Sequence, residues 1–230
     1  MAKRKKTKKK DYKKDISKHF KKGKNKEIYI IIGAMIGIIL LFIVSYYIFK
    51  HINEFEYNGL SFRKERFGEL VVYHYSYYYQ HEGELFRYNL FLRKDPRKNK
   101  VPVYGENIKY IDGKFVYITS DYGFLTQCDS STLALAQLSS FLTNNQITPR
   151  SGTFVEDSNN TQLNYVTCES KPNNPVIVIK EGTETRIDID EENMCYEISV
   201  ANCEVLEAAE KFIVQSILDA KLSTYEELNN

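Results

Sequence analysis

Hydrophobic and polar positions divide this chain into three regimes. Residues 1–26 are almost devoid of apolar side chains. Residues 28–49 carry no charge at all. Beyond them, apolar residues recur first with the period of a strand and later with the period of a helix.

The uncharged run, Ile28 to Phe49, is 22 residues long. As a helix rising 1.5 Å per residue it is about 33 Å long, against a bilayer hydrocarbon core of about 30 Å. Fourteen of the 22 are Ile, Leu, Phe or Val. Each favours insertion by about 0.3 to 0.6 kcal/mol near the bilayer centre, so roughly 4 to 8 kcal/mol is an upper bound for the sum. Tyr46 and Tyr47 stand where an interfacial aromatic belt would lie. The core helix of a soluble domain would keep a polar face. A cleaved signal peptide would have an apolar stretch of only about 7–15 residues followed by small residues. This run ends instead in Ser45-Tyr46-Tyr47-Ile48-Phe49-Lys50, so an uncleaved signal anchor is expected over 27–50. A type IV pilin-like leader is suggested by Lys22-Gly23 and Glu27, but Lys24, Asn25 and Lys26 follow the glycine where that leader turns apolar.

The alternation after the anchor predicts strands. Val71, Tyr73, Tyr75, Tyr77 and Tyr79 alternate with Val72, His74, Ser76, Tyr78 and Gln80. Phe86, Tyr88, Leu90 and Leu92 alternate likewise, with Arg87 and Asn89 on the opposite side. Asp112-Gly113 is a hairpin signal inside 110–117. A helix is predicted from Ser131 to Leu142, capped by Asp129 or Ser130, with Leu135, Leu138 and Leu142 on one face. Strands are predicted near 164–168, 176–180, 185–190 and 195–200, with 181–184 as a hairpin joining two of them. A last helix over about 203–220 presents Val205, Leu206, Ala209, Phe212, Ile213 and Ile217 to a core, and Glu207 is placed to pair with Lys211. The expected class is α+β: an N-terminal transmembrane helix, then a mostly antiparallel β extracytoplasmic domain, 51–230, with two main helices. A β-rich 51–127 half and an α+β 128–230 half are a possible subdivision.

Charge sets direction. Residues 1–26 hold 14 Lys/Arg and two Asp, a net of +12; residues 27–230 hold 18 basic and 28 acidic residues, a net of −10. The positive-inside rule places the N-terminus in the cytoplasm and the long C-terminal part outside. The tail reads as disordered, with anionic lipid headgroups as its expected partner at about 1 kcal/mol per cation near the surface. Nucleic acid is not expected, because Tyr12 and Phe20 are the tail's only aromatic platforms. Gly33 and Gly37 form a Gly-x-x-x-Gly that would let two anchors approach closely, a route to a homodimer.

All four cysteines, Cys128, Cys168, Cys195 and Cys203, follow the anchor. An even count outside the cytoplasm favours two disulfides, for which three connectivities exist. A strand from Cys195 to Val200 separates Cys195 from Cys203 by about 16 Å at 3.3 Å per residue, beyond the ~7 Å that bridged Cα atoms span. Cys128 and Cys203 both precede helices; Cys168 ends a strand and Cys195 begins one. The favoured pairing is 128–203 with 168–195. Zinc is the rival, but no Cys-x-x-Cys occurs and no His is near.

Candidate chemistry is sparse, and no cofactor or metal is expected. There is no Gly-x-Ser-x-Gly, His-Glu-x-x-His or Walker loop. His74, on a Tyr-rich strand, reads as a half-buried packing residue. Asp188, Asp190, Glu191 and Glu192 lack the spacing of a calcium loop. Asn159-Asn160-Thr161 is a glycosylation sequon. The one concentrated feature is 93–100, where Arg93, Lys94, Arg97, Lys98 and Lys100 are basic within an acidic domain. With Asp95 as the only adjacent carboxylate, this loop is a candidate contact surface for an anionic partner.

Leu92 to Asn99, the helix start at Cys128-Asp129-Ser130-Ser131, and Cys195-Tyr196-Glu197-Ile198-Ser199-Val200-Ala201-Asn202-Cys203 resemble an uncharacterised group of single-pass membrane proteins of small-genome archaea. The resemblance covers most of the outer domain and implies no known activity. The functional expectation is therefore a membrane-anchored extracytoplasmic module that binds an envelope protein or glycan. A surface hydrolase and a divisome- or secretion-type scaffold are the alternatives.

Overall fold

The computed structural model describes the backbone of residues 5–81, 83–111, 113–155, 164–170 and 173–229, and the side chains within these from 26 to 80 and from 83 to 223. The sequon at Asn159 lies outside the described residues. The chain divides into two compact units, Met1–Glu54 and Phe55–Asn230.

The first unit is one helix, α1 (Lys5–Asn53). Its stretch Lys26–Asn53 is long and apolar enough to cross a membrane, with a mean hydropathy of 2.9 in its most apolar window and none of that window buried. The tail, expected to be disordered, is helical from Lys5. Lysine is a good helix former, no proline interrupts 5–53, and a helix already nucleated by the apolar run extends at little cost.

The second unit begins with four strands: β1 (Glu54–Tyr57), β2 (Leu60–Phe67), β3 (Leu70–His81) and β4 (Glu84–Leu92). They form one sheet in that order. Each connection is two residues long. Asn58 and Gly59 adopt φ of 48° and 77° in the first, the left-handed pair that a tight hairpin needs and that Asn-Gly supplies at least cost. The β3–β4 ladder pairs Tyr73 with Leu92 and runs to His81 with Glu84. That register sends Tyr73, Tyr75, Tyr77 and Tyr79 to the same face as Tyr88, Leu90 and Leu92, which is the core face.

A second sheet holds β5 (Val103–Gly105), β6 (Phe115–Ser120), β7 (Thr148–Gly152), β8 (Val176–Glu181), β9 (Arg186–Asp190) and β10 (Cys195–Val200). Their spatial order is β5-β9-β10-β8-β6-β7. Only β9–β10 is antiparallel; β5–β9, β6–β7, β6–β8 and β8–β10 are parallel. The domain is α+β, but the expectation of a mostly antiparallel domain holds for the first sheet alone. The 181–184 hairpin is also overturned. β10 inserts between β8 and β9, and the connection passes over its end, where Gly182 N–H donates to Val200 O at 2.9 Å. A Cβ at Gly182 would meet Ser199 Oγ at 2.5 Å, so any side chain at this close crossing would have to displace the Ser199 hydroxyl. Nor are 164–168 a strand, since only Tyr165 bridges, to Thr153. Tyr110 and Ile111 leave the sheet because the Tyr110 hydroxyl reaches Ser216 at 3.1 Å on the last helix. Asp112 lies outside the described residues.

Three helices complete the unit: α2 (Tyr122–Leu125), α3 (Ser131–Asn144) and α4 (Val205–Asn229). Ser130 is the N-cap of α3 but makes no side-chain capping bond. Ser131 Oγ instead donates to Leu125 O and Cys128 O, tying the helix start to the preceding turn. Helices α3 and α4 lie between the two sheets. Phe141 of α3 meets Tyr88 of the first sheet, and Phe212 of α4 meets Tyr196 of the second, at ring separations of 6.1 and 5.8 Å. The six α4 residues expected to face a core are all buried. So are Ala208, Val214 and Ser216 on the other sides of the helix. What remains of a solvent face on α4 is a narrow polar stripe, the half-buried Glu207, Lys211 and Gln215, spaced one turn apart.

Candidate interaction surface

The loop after β4 is built on helix α4. Glu210, 1% exposed, accepts N–H bonds from Arg93 at 2.6 Å and Lys94 at 2.9 Å. Asn99 Nδ2 donates to Glu207 O at 2.7 Å and closes the other end of the loop. Asp95 is buried at the centre and binds Arg97 through Nε and Nη2 at 3.0 and 2.8 Å. This bidentate contact holds the Asp95 carboxyl below its ordinary range, against the opposing effect of burial. The Arg97 guanidinium also lies 3.6 Å above the Phe55 ring.

This corrects the basis on which the five cations were grouped. Lys94 Nζ pairs with Glu207 at 2.5 Å, a carboxylate 113 positions away that no local reading could supply. Glu207 therefore pairs with Lys94 and not with Lys211, whose Nζ donates to the Tyr57 hydroxyl at 3.1 Å. Lys94 and Arg97 are engaged within the fold, while Arg93, Lys98 and Lys100 are exposed without a described side-chain partner.

Burial pushes the Glu210 carboxyl up to about 7 from an ordinary 4.5, although its two backbone donors oppose the rise. A carboxyl raised in the folded state keeps its proton where the unfolded chain has already lost it. Its stabilising contribution is full below pH 4.5 and is lost as pH rises to about 7, by about 3 kcal/mol at 1.36 kcal/mol per pH unit. Urea unfolding of Glu210→Gln is expected to show a correspondingly smaller loss of stability between pH 4.5 and 7 than the unchanged chain. Equal pH slopes would show that Glu210 is not the group responsible.

Beside this loop, the solvent face of the first sheet carries aromatic side chains out of phase with its core positions. Phe67 and Phe91 meet edge to face at 6.5 Å, and Phe91 stacks on His74 at 4.6 Å. Val72, in the same part of the ladder, is 4% exposed although it faces outward. His74 is held between Glu65 at 2.9 Å and Asn89 at 3.1 Å. Its two ring nitrogens are thereby occupied, as suits a packing residue. Tyr78 lies under the Arg87 guanidinium at 5.9 Å. Sequence reasoning missed Phe67 and Phe91. The available signal was that both break the apolar/polar alternation of their strands.

The remaining candidates are distributed elsewhere. Cys128 and Cys203 are bonded, with Cα atoms 5.3 Å apart, as are Cys168 and Cys195 at 5.5 Å. Gly33 and Gly37 lie on the exposed surface of α1, where an added Cβ would meet nothing within 4 Å. Asp188 pairs with Arg186, Glu191 with Lys109, and Asp190 accepts from Asn193. Among the described residues no three His, Cys, Asp or Glu side chains gather as metal ligands. A cleft of about 150 Å³ between α3 and the β6–β7 pair offers Ser120, Tyr122, Ser139, Ser151 and Arg150, with no carboxylate or imidazole in its lining.

No family model, curated protein or solved structure matches the chain. Fold and surface together define it as an α+β domain with two disulfides, preceded by an apolar helix of membrane-spanning length.

Proposed function

We propose that this protein is a membrane-anchored extracytoplasmic binding module, its N-terminus cytoplasmic and its Phe55–Asn230 unit outside. The single observation that carries the binding role is the exposed Phe67–Phe91 pair on the outward face of the first sheet, at the end of β4 that leads into the loop bearing the exposed Arg93, Lys98 and Lys100. Exposed aromatic rings next to unpaired cations are characteristic of contact surfaces, because monomeric domains rarely leave large contiguous apolar patches to water. The partner is an anionic envelope component, a protein or glycan, drawn by these cations to a domain that is acidic elsewhere. The apolar helix, the basic tail and the two disulfides support the location: disulfides persist in oxidising compartments, and the charge step across the helix favours the tail inside.

The test has two arms in cells making the full chain. External protease is expected to remove the C-terminal unit and leave the anchor and tail; protection of that unit would overturn the topology. Chemical cross-linking in intact cells is expected to trap an envelope component with the unchanged chain. Phe67→Ser with Phe91→Ser should reduce the yield at least about tenfold, the effect of losing about 1.4 kcal/mol. Equal trapping by the variant would remove this surface from the reading.

A further inference from the structure

Strand β4 forms one edge of the first sheet. β3 ends at His81 and β4 begins at Glu84, and these two residues face each other across the two-residue turn. In such a hairpin the terminal pair is hydrogen-bonded, and bonded and non-bonded pairs then alternate. Residues 86, 88, 90 and 92 therefore direct their backbone groups to β3, and residues 85, 87, 89 and 91 direct theirs outward. A side-chain contact supports the same phase: Gln137 of α3 donates to Phe91 O at 3.2 Å. Among the described residues no hydrogen bond reaches the outward N–H and C=O groups of Leu85, Arg87 or Asn89.

Sheet edges are ordinarily blunted by proline, glycine bulges or several charges. β4, Glu-Leu-Phe-Arg-Tyr-Asn-Leu-Phe-Leu, has no proline or glycine, and past its first residue Arg87 is its one charge. Leu85 is 71% exposed and Phe91 42%. From Leu85 to Asn89 the edge is open to strand addition; at Phe91 the carbonyl is already held by Gln137, so there the side chain and not the C=O is available to a partner.

We propose that β4 pairs antiparallel with β4 of a second copy of this chain, about a two-fold axis at Tyr88, joining two four-stranded sheets into one. Self-complementarity selects the second copy. With the axis at Tyr88, Leu85 stands opposite Phe91 and Arg87 opposite Asn89 on the solvent face, while Phe86 stands opposite Leu90 on the core face. Apolar residues meet apolar ones, and each guanidinium meets an uncharged amide side chain. An axis at Arg87 would oppose two guanidiniums, and one at Asn89 would set Leu85 against Arg93; like charges directly opposite destabilise a pair. An isologous contact of this kind closes at two copies, so it does not propagate into fibres. It is separate from the Gly33/Gly37 route through the anchor.

The test uses the full chain in detergent micelles, with sedimentation to measure association. Asn89→Pro removes an N–H that the single copy does not use, so its sheet keeps its ladder bonds and loses only the side-chain contact to His74, but the proline ring blocks an incoming strand. The unchanged chain is expected to dimerise, and Asn89→Pro to weaken the dimer about thirtyfold or more, since each copy loses one ladder bond. A monomeric unchanged chain would overturn the proposal. So would a dimer that Asn89→Pro leaves intact but Gly33→Leu with Gly37→Leu abolishes. Register is read independently, in case the proline variant does not fold. Chains carrying Arg87→Cys are expected to cross-link through a short bismaleimide to chains carrying Asn89→Cys faster than either does to itself. Faster self-cross-linking of either variant would refute the Tyr88 axis.

Discussion

Replacing Cys128 and Cys203 by serine is expected to lower stability by about 4.5 kcal/mol, the chain-entropy value for a loop of this length. The bond joins residues 75 positions apart. It ties the turn before α3 to the turn before α4, the two helices that fill the space between the sheets. In the unfolded chain it forbids most of the separations those turns would otherwise explore. The Cys168–Cys195 bond, 27 positions apart, is worth about 3.5 kcal/mol on the same scale. Its loop is nested inside the larger one, so each bond shortens the loop the other closes, and removing both should cost slightly more than the sum of the two separate losses. Guanidinium unfolding of the two double-serine variants, and of a variant lacking all four cysteines, measures this directly. A loss under about 1 kcal/mol for the 128–203 variant would show that the unfolded chain is already constrained there.

Phe212→Ala is expected to destabilise the domain by about 3 to 5 kcal/mol, the range for truncating an aromatic side chain in a core. Phe212 is 0% exposed on α4, and its ring packs on Tyr196, itself fully buried on β10. Alanine there opens a void between the central helix and the second sheet, and both sides are fixed. β10 is held by β8 and β9, while α4 is held on its far side by the Glu210 bonds to Arg93 and Lys94. Neither wall can close the gap, so the cost should fall in the upper part of the range. Phe212→Leu, which refills most of the space, should cost markedly less. Thermal unfolding separates the two; equal losses would argue against a cavity origin.

Periodicity located most elements because it records which face each will bury. The strands at 176–181, 186–190 and 195–200, and the helices starting at 131 and 205, all follow from runs of apolar residues at the right spacing. The Asn58-Gly59 turn was not read in the sequence, although its left-handed backbone is a local demand that Asn-Gly signals. What periodicity does not record is the neighbour. β8 and β9 are joined by four residues and look like a hairpin, yet β10 pairs with both. Local spacing favours the short connection; the sheet favours burying Tyr196, Ile198 and Val200 in its centre, and the larger burial prevails.

The interaction surface divides along the same line. The density of cations at 93–100 is a property of the sequence. Which of them remain available is not, because Lys94 finds Glu207 only after α4 has docked against the loop. Phe67 and Phe91 are visible as breaks in alternation, but their contact over the outward face depends on the β2–β3–β4 register. By itself, the sequence determined the apolar helix, the charge step across it, the strand and helix segments and the even set of cysteines, because each depends only on residues close along the chain. Only the tertiary structure decided the parallel second sheet, the helix enclosed between two sheets, the buried Glu210 that anchors the basic loop and the open edge of β4. Those depend on which distant surfaces exclude water together, and that choice is made by the whole chain at once.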